Sequence, residues 1–153
     1  MKDKFKKVFM NVAEEFANLS HATRAKVGAI IVKDNRIISI GYNGMPAGWE
    51  NVCEYEIPEE MDIDSRTIIP ARLSTRPEVL HAETNAIAKI ARSNESSEGA
   101  AIFCTHMPCL DCAKLIHQSG INTVYYRNDY HAANGVGAFF LIASNILLER
   151  VDK

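Results

Sequence analysis

Ala100-Ala101-Ile102-Phe103-Cys104-Thr105, Pro108-Cys109-Leu110-Asp111-Cys112-Ala113-Lys114-Leu115-Ile116-His117-Gln118-Ser119-Gly120 and Asn122-Thr123-Val124-Tyr125-Tyr126-Arg127 decide the fold. The first run reads as an apolar strand. The second reads as a helix over 109–119, ended by Gly120 at the usual left-handed position after a helix. The third reads as another strand, so the stretch is a strand–helix–strand unit. Working outward, helical spacing recurs from His81 to Arg92, with apolar Ala82, Ala86, Ile87 and Ile90. Val136 to Ser144 reads as a helix with Asn145 as its left-handed cap. Ile146 to Val151 reads as a last strand, the alternative being a helix that runs on to Arg150.

Toward the N-terminus, Lys26–Val32 and Arg36–Gly41 read as strands joined by the turn residues Asp34-Asn35, hence a β-hairpin. Residues 3–19 place Phe5, Val8, Phe9, Val12, Phe16 and Leu19 at helical spacing, which predicts an amphipathic helix. Gly41, Gly44, Pro46 and Gly48 then break regular structure. Residues 50–80 carry no clear period and read as an inserted excursion, about 49–77, with one short helix. The order helix, hairpin, helix, strand, helix, strand, helix predicts an α/β fold. Its mixed five-stranded sheet would have helices on both faces, a three-layer α/β/α arrangement in a single domain over 1–153.

Composition narrows the function. The 153 residues are 47% hydrophobic and 24% charged, which excludes a disordered chain. A formal net charge of −2 carries no general nucleic-acid signature. No apolar run approaches the roughly 20 residues of a membrane span, and Met1 to Lys7 is not followed by a signal-type apolar core. The expectation is a soluble intracellular protein. There, Cys53, Cys104, Cys109 and Cys112 point away from a disulfide framework. Cys104, inside an apolar strand, reads as a buried small hydrophobe.

Cys109 and Cys112 read differently. Their i, i+3 spacing puts both sulfurs on one face of a first helical turn, where the macrodipole and free N–H groups favour thiolates. Pro108 stands just before the helix. A second helix opens with His81-Ala82-Glu83. Two thiolates and an imidazole make three ligands for a tetrahedral Zn²⁺, leave a fourth position for water, and leave Glu83 free as an acid/base. Alone, Cys-x-x-Cys also suits a redox pair or half of a structural zinc site, and His-x-Glu opens many helices by chance.

Together, in this order, His-x-Glu and Pro-Cys-x-x-Cys resemble the zinc nucleobase deaminases. Residues 20–48 and 78–151 resemble the deoxycytidylate (dCMP) deaminase family of the cytidine deaminase superfamily, in its compact phage and bacterial form. The carriers are Ala25-Lys26-Val27-Gly28-Ala29-Ile30-Ile31-Val32, Gly41-Tyr42-Asn43-Gly44-Met45-Pro46, His81-Ala82-Glu83-Thr84-Asn85-Ala86-Ile87 and Pro108-Cys109-Leu110-Asp111-Cys112-Ala113-Lys114. Gln118-Ser119-Gly120-Ile121 and Val124-Tyr125-Tyr126 complete the set.

The resemblance implies zinc on His81, Cys109 and Cys112, and hydrolysis of dCMP to dUMP and ammonia with Glu83 as proton carrier. It implies Ala82 and Asn43 against the nucleoside, Arg24 and Lys26, the nearest cations in the motif-bearing segments, on the 5′-phosphate, and Tyr130, in the pair Tyr130-His131, closing over the nucleotide. It further implies a cytoplasmic homohexamer, in the host cytoplasm if phage-encoded. dCTP with Mg²⁺ would activate and dTTP inhibit, through an effector site that includes Gly41, Tyr42, Asn43 and Gly44 and is supported by Arg92. Glycines there would let backbone N–H groups approach a phosphate.

Two departures stand out. Ser20-His21-Ala22-Thr23-Arg24 lacks the Asp-Pro found in many members, and Asn145 replaces a usual Gly. Some phage members carry a second, structural zinc, for which Cys53 with His21 or His106 would be a remnant. The competing readings are a deaminase of cytidine, tRNA adenosine or a pteridine-like base, a non-catalytic zinc- or nucleotide-binding module, and a redox protein built on Cys109 and Cys112.

Overall fold

The computed structural model describes residues 1–130 and 135–152. Helix α1 (Asp3–Ala17) leads into β1 (Gly28–Lys33) and β2 (Arg36–Tyr42), paired antiparallel. Asp34 and Asn35 between them both take left-handed backbone (φ 51° and 58°), as a two-residue type I′ hairpin turn requires. Helix α2 (Ala82–Ile90), β7 (Ala101–His106), α3 (Leu110–Gln118), β8 (Thr123–Asn128), α4 (Ala138–Ala143) and β9 (Leu147–Arg150) follow the short strands of the excursion. The main sheet has the order β2-β1-β7-β8-β9. It is antiparallel across β2, β1 and β7 and parallel across β7, β8 and β9, so it is mixed. Asn145, at φ 57°, ends α4 in the left-handed conformation, and the chain goes on as a strand rather than a longer helix.

Alternation along the strands splits the core into two layers. Ile30 and Val32 of β1, Phe103 of β7 and Tyr125 of β8 face α1, whose buried residues are Phe9, Met10, Ala13 and Ala17. Phe103 stacks on Tyr125 with ring centroids 4.6 Å apart. The buried stripe thus differs from the expected one: Phe5 and Val8 of α1, and Leu19 beyond it, are exposed, because the face turned to the sheet runs through Phe9, Met10, Ala13 and Ala17. Ala29, Ile31, Ile102, Cys104 and Val124 face the opposite way, onto α2, α3 and α4. The three-layer α/β/α expectation holds.

The excursion differs from its sequence reading. It contains no helix among the described residues; it folds as β3 (Glu54–Ile57), β4 (Glu60–Asp62), β5 (Thr67–Ile69) and β6 (Arg72–Thr75). β3 pairs antiparallel with β6, and β4 with β5, as two small ribbons. Cys53, at its base, packs against Ala22 and Val79. Among the described residues it is in no set of three or more side chains able to hold a metal.

Candidate active site

Both motifs lie at helix N-termini, and the two helices pack against each other. His81 is the N-cap of α2 and Cys109 the N-cap of α3, each with extended backbone. The Cys109 sulfur accepts the Cys112 N–H at 3.5 Å, so a thiolate there satisfies a donor that the helix start leaves free. The turn is clamped from outside. Gly137 N–H donates to the Pro108 carbonyl at 3.0 Å and Leu110 N–H to Gly135 at 3.1 Å. A Cβ on Gly137 would stand 2.7 Å from both that carbonyl oxygen and the Ala113 methyl, so only glycine allows this approach. On the other side, Asn85 Nδ2 donates to the Tyr42 carbonyl (2.8 Å) and Ser39 Oγ to that of Ala86 (2.7 Å), tying α2 to β2.

The side chains converge. His81 Nδ1 lies 3.6 Å from Cys109 Sγ and 3.3 Å from Cys112 Sγ, and the three ligand atoms all fall within 4.8 Å of one another. Two sulfurs and one imidazole nitrogen suit a borderline-soft dication such as Zn²⁺, and three protein donors match an open catalytic site rather than a closed structural one. The hydrogen bond from the Cys112 thiol, with one from His81, holds Cys109 down at about 4. Cys112 is pushed up by the same bond and by burial. The bond to Cys109 raises His81. The pair thus keeps negative charge on the floor of the site.

Glu83 is buried, with 4% of its surface exposed. Burial pushes its carboxyl up, while its own backbone N–H, His81 and the Cys112 thiol pull the other way. A carboxyl held between those pulls suits a group that takes and returns a proton. Cys104 is fully buried, which pushes its thiol well up and leaves it chemically quiet.

A cavity of about 190 Å³ opens above this floor. It is lined by the expected residues Arg24, Asn43, His81, Ala82, Glu83, Cys109 and Tyr130. It is also lined by Glu54, Thr75, Val79, His106 and Met107, which the sequence reading did not place in the site. Asn43 is partly committed: Oδ1 accepts the Val27 N–H (2.8 Å) and Nδ2 donates to the Ala25 carbonyl (2.9 Å), fixing the chain just before β1. Tyr130 stands edge-on to His106, centroids 6.3 Å apart, while its sequence partner His131 lies outside the described residues.

Lys26 is exposed and does not line the cavity. Gly41, Tyr42, Gly44 and Arg92 also lie outside the cavity lining. In the glycine loop, two of the N–H groups expected to approach a phosphate are already bonded. Asn43 N–H donates to the Val27 carbonyl and Gly44 N–H to that of Leu80, at 3.0 and 3.1 Å. Gly41 is required by packing instead, since its Cβ would stand 2.1 Å from the Ala82 carbonyl oxygen.

Residues 3–128 match the family described as the cytidine and deoxycytidylate deaminase zinc-binding region. The chain belongs to that family. It is 39% identical to the deoxycytidylate deaminase of Enterobacteria phage T4 over 132 residues, 69% of this chain and 68% of the relative. It is 39% identical to ComE operon protein 2 of Bacillus subtilis over 122 residues, 80% of this chain but 58% of that longer protein. The crystal structure of dCMP deaminase from the cyanophage S-TIM5, in complex with dCMP and dUMP, superposes with a TM-score of 0.81 at 40% identity, covering 98% of each chain. In this deaminase family the matched segment spans the His81 and Cys109–Cys112 motifs, so the zinc-binding region and the three convergent ligands coincide. Among the described residues, no helix is long and apolar enough to cross a membrane.

Proposed function

We propose that this deaminase hydrolyses dCMP to dUMP and ammonia, supplying dUMP for thymidylate synthesis. The observation that carries the reading is a buried Glu83 beside the His81–Cys109–Cys112 cluster, at the floor of a cavity that also holds Arg24. The T4 phage relative and the cyanophage structure, named for dCMP deaminase, support that choice of substrate.

Zinc held by the three ligands supplies a Lewis acid that makes water acidic enough, near a pKa of about 7, to react at neutral pH. Every other part belongs to the chain. Glu83 takes a proton from the water that adds to C4 of the pyrimidine and hands it to N3. The freed carboxylate then takes the proton of the hydroxyl now on C4 and delivers it to the amino group, so the C4–N bond breaks, ammonia departs and a carbonyl remains. Burial of Glu83 keeps bulk water from competing for these protons. Ala82 backs the ring at the start of α2. Asn43 keeps one amide N–H for the sugar hydroxyl after its bond to Ala25. Arg24 receives the 5′-phosphate, and Tyr130 covers the nucleotide.

Self-association belongs to the same proposal. Phe139 and Ile142 of α4 and Leu115 of α3 are 84%, 64% and 44% exposed, an apolar face that supports a homo-oligomer such as the hexamer. Activation by dCTP with Mg²⁺ and inhibition by dTTP are proposed on the resemblance of the Gly41–Gly44 loop, with contacts other than its consumed N–H groups. The test is ammonia release from dCMP, cytidine, deoxycytidine and dCTP by zinc-loaded protein, with and without dCTP and Mg²⁺, beside Glu83→Ala. Preferred turnover of dCMP, lost in Glu83→Ala, is expected. Failure to turn over dCMP under either condition would overturn the assignment.

A further inference from the structure

Arg24 sits on an irregular segment before β1, yet it is held from two sides by the excursion. Glu54 of β3 and Thr75 of β6 are directly opposite each other in the ribbon register. Such cross-strand partners carry their Cβ atoms about 5 Å apart on one face. Both line the cavity with Arg24. Glu54 Oε1 accepts the backbone N–H groups of Thr23 and Arg24, at 3.0 and 3.1 Å. Thr75 Oγ1 accepts from Arg24 Nη1 at 2.8 Å. One residue of the pair fixes the backbone and the other fixes the guanidinium. Among the described residues, no carboxylate comes within ion-pair reach of that guanidinium, so the rest of its fork stays open to an anion.

We infer that the Glu54–Thr75 pair consists of positioning residues that hold Arg24 ready for the 5′-phosphate, so that the excursion sets the preference for nucleotide over nucleoside. The inference rests on Arg24 as the phosphate group of the proposed substrate. A free arginine side chain must give up much rotamer freedom to grip a phosphate in fork geometry, and holding it in advance lowers that cost. Thr75 is suited because its hydroxyl meets a single guanidinium nitrogen without adding charge. Glu54 is suited because its one oxygen satisfies two successive N–H groups, which shapes the bend that carries Arg24.

The test is calorimetric binding of dUMP and of deoxyuridine to zinc-loaded protein, which reads the phosphate term without turnover. Thr75→Val is expected to weaken dUMP binding about fivefold more than deoxyuridine binding, and Thr75→Ser to restore it. In the Arg24→Gln background, Thr75→Val should have no further effect on dUMP, as coupled residues require. Glu54→Ala and Glu54→Gln both remove the charge, but only Gln keeps an acceptor, so Ala should bind dUMP about threefold more weakly than Gln. Equal losses for dUMP and deoxyuridine, additive effects of Thr75 and Arg24, or no measurable dUMP binding by the parent protein would each overturn the inference. If the parent protein shows this binding pattern but releases no ammonia from dCMP, the proposed reaction fails while the positioning role stands.

Discussion

A carboxyl group with 4% exposure is costly for a fold to keep, and that cost fits the acid/base role proposed for Glu83. Glu83→Gln should lower turnover about 10²–10⁴-fold, the range for loss of a positioned acid/base. Its thermal midpoint should equal or exceed the parent's, because a neutral amide replaces a desolvated acid; a fall of several degrees would make Glu83 structural instead. Gly41 shows the opposite balance. Gly41→Ala would push a methyl onto the Ala82 carbonyl oxygen, 2.1 Å away, and separate β2 from the helix that carries His81 and Glu83. The expected loss is about 1–3 kcal/mol in urea unfolding, with reduced activity. At this scale the convergence of His81, Glu83, Cys109 and Cys112 was legible, since the chemistry they suit fixes residue type and spacing together. Glu54, Thr75 and His106 were not, because each is an ordinary residue whose importance comes from what the fold brings beside it.

At the scale of elements, periodicity was readable wherever one face is buried. The β1–β2 hairpin, the β7–α3–β8 unit and the final strand follow the expected pattern. The Asp34-Asn35 turn places its second residue at φ 58°, where glycine is free of Cβ strain. Asn35→Gly should therefore raise stability by about 0.5 kcal/mol, read as a rise of about 2 °C in thermal midpoint. The excursion escaped reading for a physical reason. Its strands are three or four residues long, and β4 and β5 expose most of their side chains, including Met61 at 69% and Ile68 at 61%. No buried face imposes a period on them, and charged residues occupy positions that a packed strand would give to apolar ones. Only the pairing of β3 with β6 reveals which side chains return to the cavity.

Taken whole, the molecule brings together chain segments distant in sequence. His81 is 28 residues from Cys109, and the two join only because α2 and α3 pack against each other with His81 and Cys109 as their N-caps. Removing the metal with a chelator under reducing conditions should lower the thermal midpoint by several degrees, and added Zn²⁺ should restore it. The far-ultraviolet circular dichroism should stay native-like at 25 °C, since a core of this size stands without a metal. Unfolding on chelation would make the site structural, and an unchanged midpoint would argue against metal binding there. The ribbon of β3 and β6 has a wider consequence. The groups proposed to move protons belong to the frame of sheet and helices, whereas Glu54 and Thr75 at the cavity belong to a segment with its own pairing. Lineages would then be free to exchange the segment and change which molecules are admitted, with the reacting machinery inherited intact. For laboratory evolution, diversity concentrated in residues 49–77 should yield altered substrate choice more often than the same diversity spread over the frame.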